Sequence, residues 1–481
     1  MPFLITGAAV LLALIILALI LLIRAARFVP EKVERDKAAP IYINNEKAVS
    51  DLAEMIKCKT VSDNDKSNED ESEFAKFEAL LQRLFPNVFA KCTFEKPSDR
   101  SLLFKWEGKS HEAPTVLMSH YDVVSVVEED WEKPPFDGVL ENGVLWGRGT
   151  LDTKGTLNGI LQAAEALIIE GFVPKSDIYF AFAGDEEING HGAAVIVDLF
   201  KTRGITPGIV IDEGGAVVEN VFPGVTAPCA LIGIAEKGMV NIEYSVKGGG
   251  GHASSPASHT PVGRLSAACV KVENSPFDFG ISKPALALFD TVGRHSTFVY
   301  RLIFSNLWLF KPVLNMITKK SGGELNALVR TTTAFTQMEG SKGMNVIPPY
   351  ARMVSNHRIK EGETPESVAE RIIKIIDDEN VNVRIISGTP PSVISDTDCE
   401  AWERIKSVTS DTWQDAIVSP YLMLACSDSR HWGKISDKVY RFSAMALSKE
   451  ERGTIHGNNE KIPFATITKT VEFYIRLMRK S

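Results

Sequence analysis

At 481 residues, 44% hydrophobic and 24% charged, the chain has the make-up of a globular protein and is too long for one ordinary core. Its net charge of −8, with acids and bases mixed along its length, argues against a nucleic-acid surface, which would cluster Lys and Arg. Cys58, Cys92, Cys229, Cys269, Cys399 and Cys426 form no Cys-x-x-Cys pair, so neither a disulfide framework nor a cysteine zinc site is legible.

Phe3 to Ile23 is free of charge, and Arg24 ends the run. A helix of that length rises about 30 Å, enough to cross a bilayer. A signal peptide is the rival, but its apolar region is shorter and follows basic residues, and none precede this run. Residues 1–24 are therefore expected to be a single-pass membrane anchor. Arg24, Arg27, Lys32, Arg35 and Lys37 follow it, so the positive-inside rule places the remainder of the chain on the cytoplasmic side. Residues 25–44, charged and holding Pro30 and Pro40, read as a tether.

From Asn45, the spacing of Ala48, Leu52, Met55 and Ile56 predicts a helix with one apolar face. The runs 114–120, 177–183 and 208–211 predict short strands, and 153–171, closed by Gly171, predicts a helix between two of them. Strands alternating with helices predict an α/β sheet covered on both faces, beginning with residues 45–235. After Ala235 the texture changes. MVNIEYSVKG and AFTQMEG read as half-exposed strands, and PESVAERIIKIIDDE as an amphipathic helix. Residues 236–390 are expected to form a separate α+β unit inserted into the first domain, which resumes over 391–481. Within that unit, 275–330 is apolar and aromatic but broken by Arg301 and Lys311. It is expected to pack on the inserted unit or to form an interface.

Chemistry-bearing side chains fall at the strand ends. SHYDVV supplies His120 and Asp122, GRGTLD supplies Asp152, FAGDEE supplies Asp185, Glu186 and Glu187, IVIDEGG supplies Asp212 and Glu213, and GTIHGNNE supplies His456. In sheets of this class, ligands bind outside the carboxyl ends of the strands. Singly, each has an ordinary explanation: a surface turn, a helix N-cap, solvated acids. Together, at consecutive strand ends, they predict a site. Three adjacent carboxylates raise one another's pKa unless something neutralises or uses them. Imidazole and carboxylate donors without thiolate suit zinc, with cobalt or manganese as possible substitutes. Two histidines and three acids are enough for two ions sharing one Asp, with a further acid left as general base.

HYD, WEKPPFDG, GRGTLDTKG, GDEE, DEGG, GGGGHASSP, NVIPP, SDSRHW and IHGNNE occur in that order over 114–460. This set resembles the di-zinc metallopeptidase family that includes aminoacylase, carnosinase, glutamate carboxypeptidase and carboxypeptidase S. Within it, the likeness is to the branch of carboxypeptidase S and the N-fatty-acyl-amino-acid hydrolase. The resemblance implies a zinc-peptidase-like mixed sheet with helices on both faces, plus an inserted α+β lid of the dimerisation type. It implies two zinc ions per subunit. His120 would bind one ion with Asp122 orienting its ring, Asp152 would bridge both and be followed by a cis peptide, and Glu187 and His456 would be further ligands. Either Asp212 or Glu213 would complete the set.

Glu186 would be the general base and Asp185 a structural hydrogen-bond acceptor. His252 would stabilise the tetrahedral intermediate, often from the partner subunit of a dimer. Asn345 and Arg358 would contact the substrate carboxylate, which the planar guanidinium fork matches, and Arg430 would line the site. The implied reaction is zinc-dependent hydrolysis of an amide next to a free α-carboxylate, in a peptide or an N-acyl amino acid. A deacylase or aminopeptidase acting on another amide is the alternative within this fold. A non-catalytic membrane-tethered binding protein would lack a ligand or the base, and neither is missing. The 275–330 run departs from the compact lid of many relatives, which leaves both homodimer and monomer open.

Overall fold

A computed structural model describes residues 2–31, 38–220, 222 and 224–481. Lys32, Arg35 and Lys37 of the basic run lie outside the described residues.

The first strands are β1 (Thr93–Ser98), β2 (Ser101–Trp106), β3 (Ser110–His120), β4 (Ser176–Ala183), β5 (Ile209–Val218) and β6 (Cys229–Glu236). Next come β7 (Gly238–Lys247), β8 (Thr332–Glu339), β9 (Tyr350–Ile359) and β10 (Asn382–Thr389), then β11 (Ile417–Met423) and β12 (Val439–Leu447). A large mixed sheet has the order β1-β2-β4-β3-β5-β12-β6-β11. Its centre, β4-β3-β5-β12, is parallel. The last seven residues of both β3 and β4 are buried, as strands covered on both faces must be. Helix Lys154–Ile169 is buried along most of its length and packs on helix Phe464–Arg479. Gly159 permits that approach, since a Cβ there would lie 2.5 Å from Thr470 Cγ2.

The other four of these strands form an antiparallel sheet of order β8-β9-β7-β10, and shorter strands make two further small sheets. Along its first six residues, β7 alternates buried and half-buried positions, the pattern of a sheet packed on one face. Helices Pro261–Glu273 and Pro365–Ile376 pack there, around Val240, Ile242, Leu265, Met353 and Ile372.

Two expectations need correction. The strand read at 208–211 continues to Val218, so the DEGG motif lies inside β5 rather than after it. The 275–330 run forms helices α2 (Lys283–His295), α3 (Phe298–Phe304), α4 (Leu307–Ser321) and α5 (Gly323–Val329). It does not pack mainly on the second sheet. Leu288, Phe289, Val292, Leu307, Leu328 and Val329 join the core of the large sheet, where α2 covers the edge strand β11. An apolar edge strand otherwise offers unpaired backbone, and a covering helix removes that liability. Among these residues only Phe277, ahead of α2, belongs to the second core.

Candidate metal centre

Leu117 of β3 pairs with Ile211 of β5, which brings His120 and Glu213 level on one edge of the sheet. The buried His120 has Nε2 3.0 Å from Asp152 Oδ1 and 3.5 Å from Glu213 Oε1. Its Nδ1 lies 3.0 Å from the Asp122 carbonyl and 3.3 Å from Asp122 Oδ1. Asp122 is itself fixed, accepting from Ser62 Oγ at 2.7 Å and from the backbone N–H groups of Glu186 and Glu187 at 3.2 and 3.1 Å. One carboxylate therefore sets the ring of His120 and the start of the Glu186–Glu187 turn together. That turn needs Gly184 before it, where a Cβ would lie 2.4 Å from the Tyr121 ring.

The other oxygen of Asp152 lies 3.0 Å from His456 Nε2, which is also 3.0 Å from Glu187 Oε2. Two triplets result, His120–Asp152–Glu213 and Asp152–Glu187–His456, each with ligand atoms within 4.8 Å of one another and with Asp152 common to both. The Asp152–Thr153 peptide is cis.

The electrostatics are those of a crowded site. Burial opposes charge on His120, but Glu213, Asp122 and Asp152 outweigh it and hold the imidazole well above its usual pKa. Hydrogen bonds to Asp152 and Glu187 carry His456 up to about 10. Burial pushes the Glu213 and Glu186 carboxyls well above the carboxylate range, and neighbouring acids reinforce it. A site that takes up protons so readily favours positive charge, which a divalent cation supplies. The donors fit such an ion: imidazole nitrogens, carboxylate oxygens, and a Glu187 Oε1 that is buried without a partner among the described residues.

Of the two candidates in DEGG, Glu213 joins a triplet and Asp212 does not. Neighbouring residues of a strand point to opposite faces, and Asp212 turns to accept from the Ser429 N–H at 2.8 Å. Asp185 accepts from the N–H groups of His191 and Gly192 and closes the loop after the turn. Arg358 lines the same cavity of about 470 Å³ as Asp152, Glu186, Glu187, Glu213 and His456. Leu151, Val218, Leu231, Met423 and Leu447 form its apolar wall. Arg430 stands behind the turn, 3.2 Å from Asn189 Oδ1, and is not among the lining residues.

His252 and Asn345 are not brought to the triplets within this chain. Both are exposed: His252 sits on a two-residue ladder opposite Val346, with its Nδ1 2.7 Å from Ser254 Oγ, and Asn345 lies in the turn just before that ladder.

Two groups inside quoted motifs escaped the sequence reading. Asp428 of SDSRHW is buried and pushed up to about 8 by burial and by Asp212. Glu460 of IHGNNE is fully buried against Arg148 of GRGTLD at 2.6 Å, and accepts from the N–H groups of Gly149 and Leu151. Arg148 also donates to the Gly457 carbonyl at 2.7 Å, which ties the His456 loop to the Asp152 loop. Their only sequence signal is a charged residue in each of two glycine-containing motifs. Replacing Glu460 with Ala leaves a buried guanidinium without its partner and should cost about 3–5 kcal/mol of stability, measured by unfolding in detergent. A loss below about 1 kcal/mol, the scale of a surface pair, would contradict this role.

The mixed sheet thus gathers two histidines and three carboxylates at one edge, four of the five lining one cavity, and together with the relatives below this makes the chain a hydrolytic enzyme of the metallopeptidase and amidohydrolase class. The chain belongs to peptidase family M20/M25/M40, whose model matches residues 116–480. One solved member of that family, the YXEP protein of Bacillus subtilis, is described as a dinuclear metal-binding peptidase; it is 12% identical, with a TM-score of 0.54, and covers 91% of this chain and 98% of that one. The chain is 34% identical over 484 residues to the probable carboxypeptidase S-like 2 of Dictyostelium discoideum, covering 97% of this chain and 92% of that one. It is also 34% identical over 493 residues to the N-fatty-acyl-amino acid synthase/hydrolase PM20D1 of Xenopus tropicalis, covering 98% and 94%. Among solved structures, an M20 family metallo-carboxypeptidase from Sulfolobus solfataricus superposes with a TM-score of 0.66 at 18% identity, covering 90% of this chain and 98% of that one. These are the family and branch that the motifs resemble.

Proposed function

We propose that this protein hydrolyses the amide bond of N-acyl amino acids, next to their free α-carboxylate, with Glu186 as general base. The observation that carries the reading is the cavity in which Glu186 and Arg358 stand beside two ligand triplets sharing Asp152. Zinc ions, replaceable by cobalt or manganese, would be held by His120, Asp152 and Glu213 and by Asp152, Glu187 and His456, and would supply Lewis acidity and an activated water.

Glu186 takes a proton from the attacking water and returns it to the leaving nitrogen. The Arg358 guanidinium binds the carboxylate of the amino-acid half. The apolar wall receives the acyl group, a reading supported by the relative named as an N-fatty-acyl-amino acid synthase/hydrolase. Residues 236–390 act as the lid, and His252 and Asn345 reach a site in the partner subunit of a dimer, where His252 donates to the oxyanion. Asp122 acts through His120 and Glu186 as a positioning residue. The N-terminal helix α1 (Pro2–Arg27), long and apolar enough to cross a membrane from Thr6 to Arg27, anchors the chain. Arg24 and Arg27 at its end favour a cytoplasmic catalytic part.

The test compares an N-acyl amino acid with its carboxamide, in wild type and Arg358→Ala. Loss of a charge-assisted pair worth about 1.5–3 kcal/mol predicts a KM about 10–100-fold higher for the acid and little change for the carboxamide. Equal hydrolysis of both substrates by the wild type would reject the carboxylate requirement.

A further inference from the structure

The inserted helices present a surface that hydrolysis does not use. Residues 297–323, which span α3 and α4, contain Arg301, Lys311, Lys319 and Lys320 and no acidic residue, in a chain whose net charge is −8, while Arg294 of α2 just before them pairs with Asp290 at 2.8 Å. On α4, Leu309, Val313, Met316 and Ile317 follow the i, i+4, i+7, i+8 spacing of one helix face, and all are exposed. Phe298 and Val299 extend the exposed apolar surface onto α3, and Trp308 is 55% exposed.

This surface is fixed to the end of α1. The Arg24 guanidinium donates to the Ser305 carbonyl at 2.9 and 3.1 Å, and Asn306 Nδ2 donates to the Leu21 carbonyl at 3.2 Å. The Arg294 guanidinium lies over the Phe28 ring, 4.6 Å from its centroid. Trp308 shares a cleft with Arg24, Arg27 and Phe28, at the level where the apolar span of α1 stops and its first cations begin. Tryptophan flanked by Arg and Lys is the composition of a membrane–water interface, and an amphipathic helix with a basic polar face lies in that plane.

We propose that α3 and α4 form a second membrane contact, lying in the boundary between headgroups and acyl chains beside α1. Their basic side chains meet anionic phospholipid headgroups. The proposal rests on the reading of α1 as a membrane anchor. A bilayer is the occupant because the surface is continuous with α1, whose own apolar residues from Val10 to Ile23 are largely exposed, and because its charge opposes that of the whole chain. The same insert borders the cavity, since Glu324 of α5 lies 3.7 Å from Arg452, a lining residue. An amphiphilic N-acyl substrate held in the leaflet would thus lie close to the enzyme's apolar wall.

The test uses the full chain in vesicles of phosphatidylcholine and phosphatidylserine, with or without bromine on the acyl chains. Subtracting the emission of Trp308→Phe from that of the wild type isolates Trp308, and unchanged hydrolysis shows that the variant is folded. The expected result is protein that resists alkaline extraction, with the Trp308 component lost in brominated lipid and shielded from aqueous iodide. Resistance to extraction with iodide quenching but no bromine quenching keeps the anchor and overturns the second contact. Resistance with neither quencher effective also overturns it, since another protein surface then covers Trp308. Release by alkali overturns the anchor and the second contact together.

Discussion

Replacing Glu186 with Gln is expected to lower kcat by about 10³-fold while the bound metal stays unchanged. Glu186 lines the cavity yet belongs to neither ligand triplet. Its backbone N–H is held by Asp122 Oδ1, and Gln keeps the size of the side chain, so the main change is loss of a group that can take up a proton. Burial and the carboxyls of Asp428 and Glu187 raise its affinity for a proton, as a group that must take one from water requires. Steady-state kinetics together with elemental analysis check the prediction. Loss of metal along with activity would make Glu186 a ligand, and full activity would remove it from the reaction.

Replacing Asp152 with Ala should act on the metal itself. Asp152 is the one residue common to both triplets, with one oxygen 3.0 Å from His120 and the other 3.0 Å from His456. Its removal withdraws a ligand from both positions and leaves two imidazoles facing each other across the gap. The expected loss of metal affinity exceeds the about 10–100-fold of a supporting residue, and activity falls with it. Titration with zinc and a competing chelator measures this. An unchanged stoichiometry of two ions would show that the triplets do not hold them.

Much of this centre is legible in sequence because its parts are local. His120, Asp152, Glu187 and His456 each stand at the end of a strand or loop whose glycines and apolar runs announce it. Which of Asp212 and Glu213 faces His120 is not legible in the sequence, because it depends on where β5 ends. With the strand running on to Val218, side-chain alternation turns Glu213 to His120 and Asp212 to Ser429. The Arg148–Glu460 pair was invisible for another reason: its members stand 312 residues apart and meet only through the fold. The packing of the 275–330 run is illegible for a third. Its apolar content is real, but composition does not say which sheet edge a helix covers, and α2 covers β11.

The most direct test of the central claim is release of amino acid from an N-acyl amino acid by the full-length protein, before chelation, after metal removal verified by elemental analysis, and after zinc is returned. The account predicts release that stops with the metal and resumes with zinc. Release that continues at the original rate from metal-free protein would contradict it.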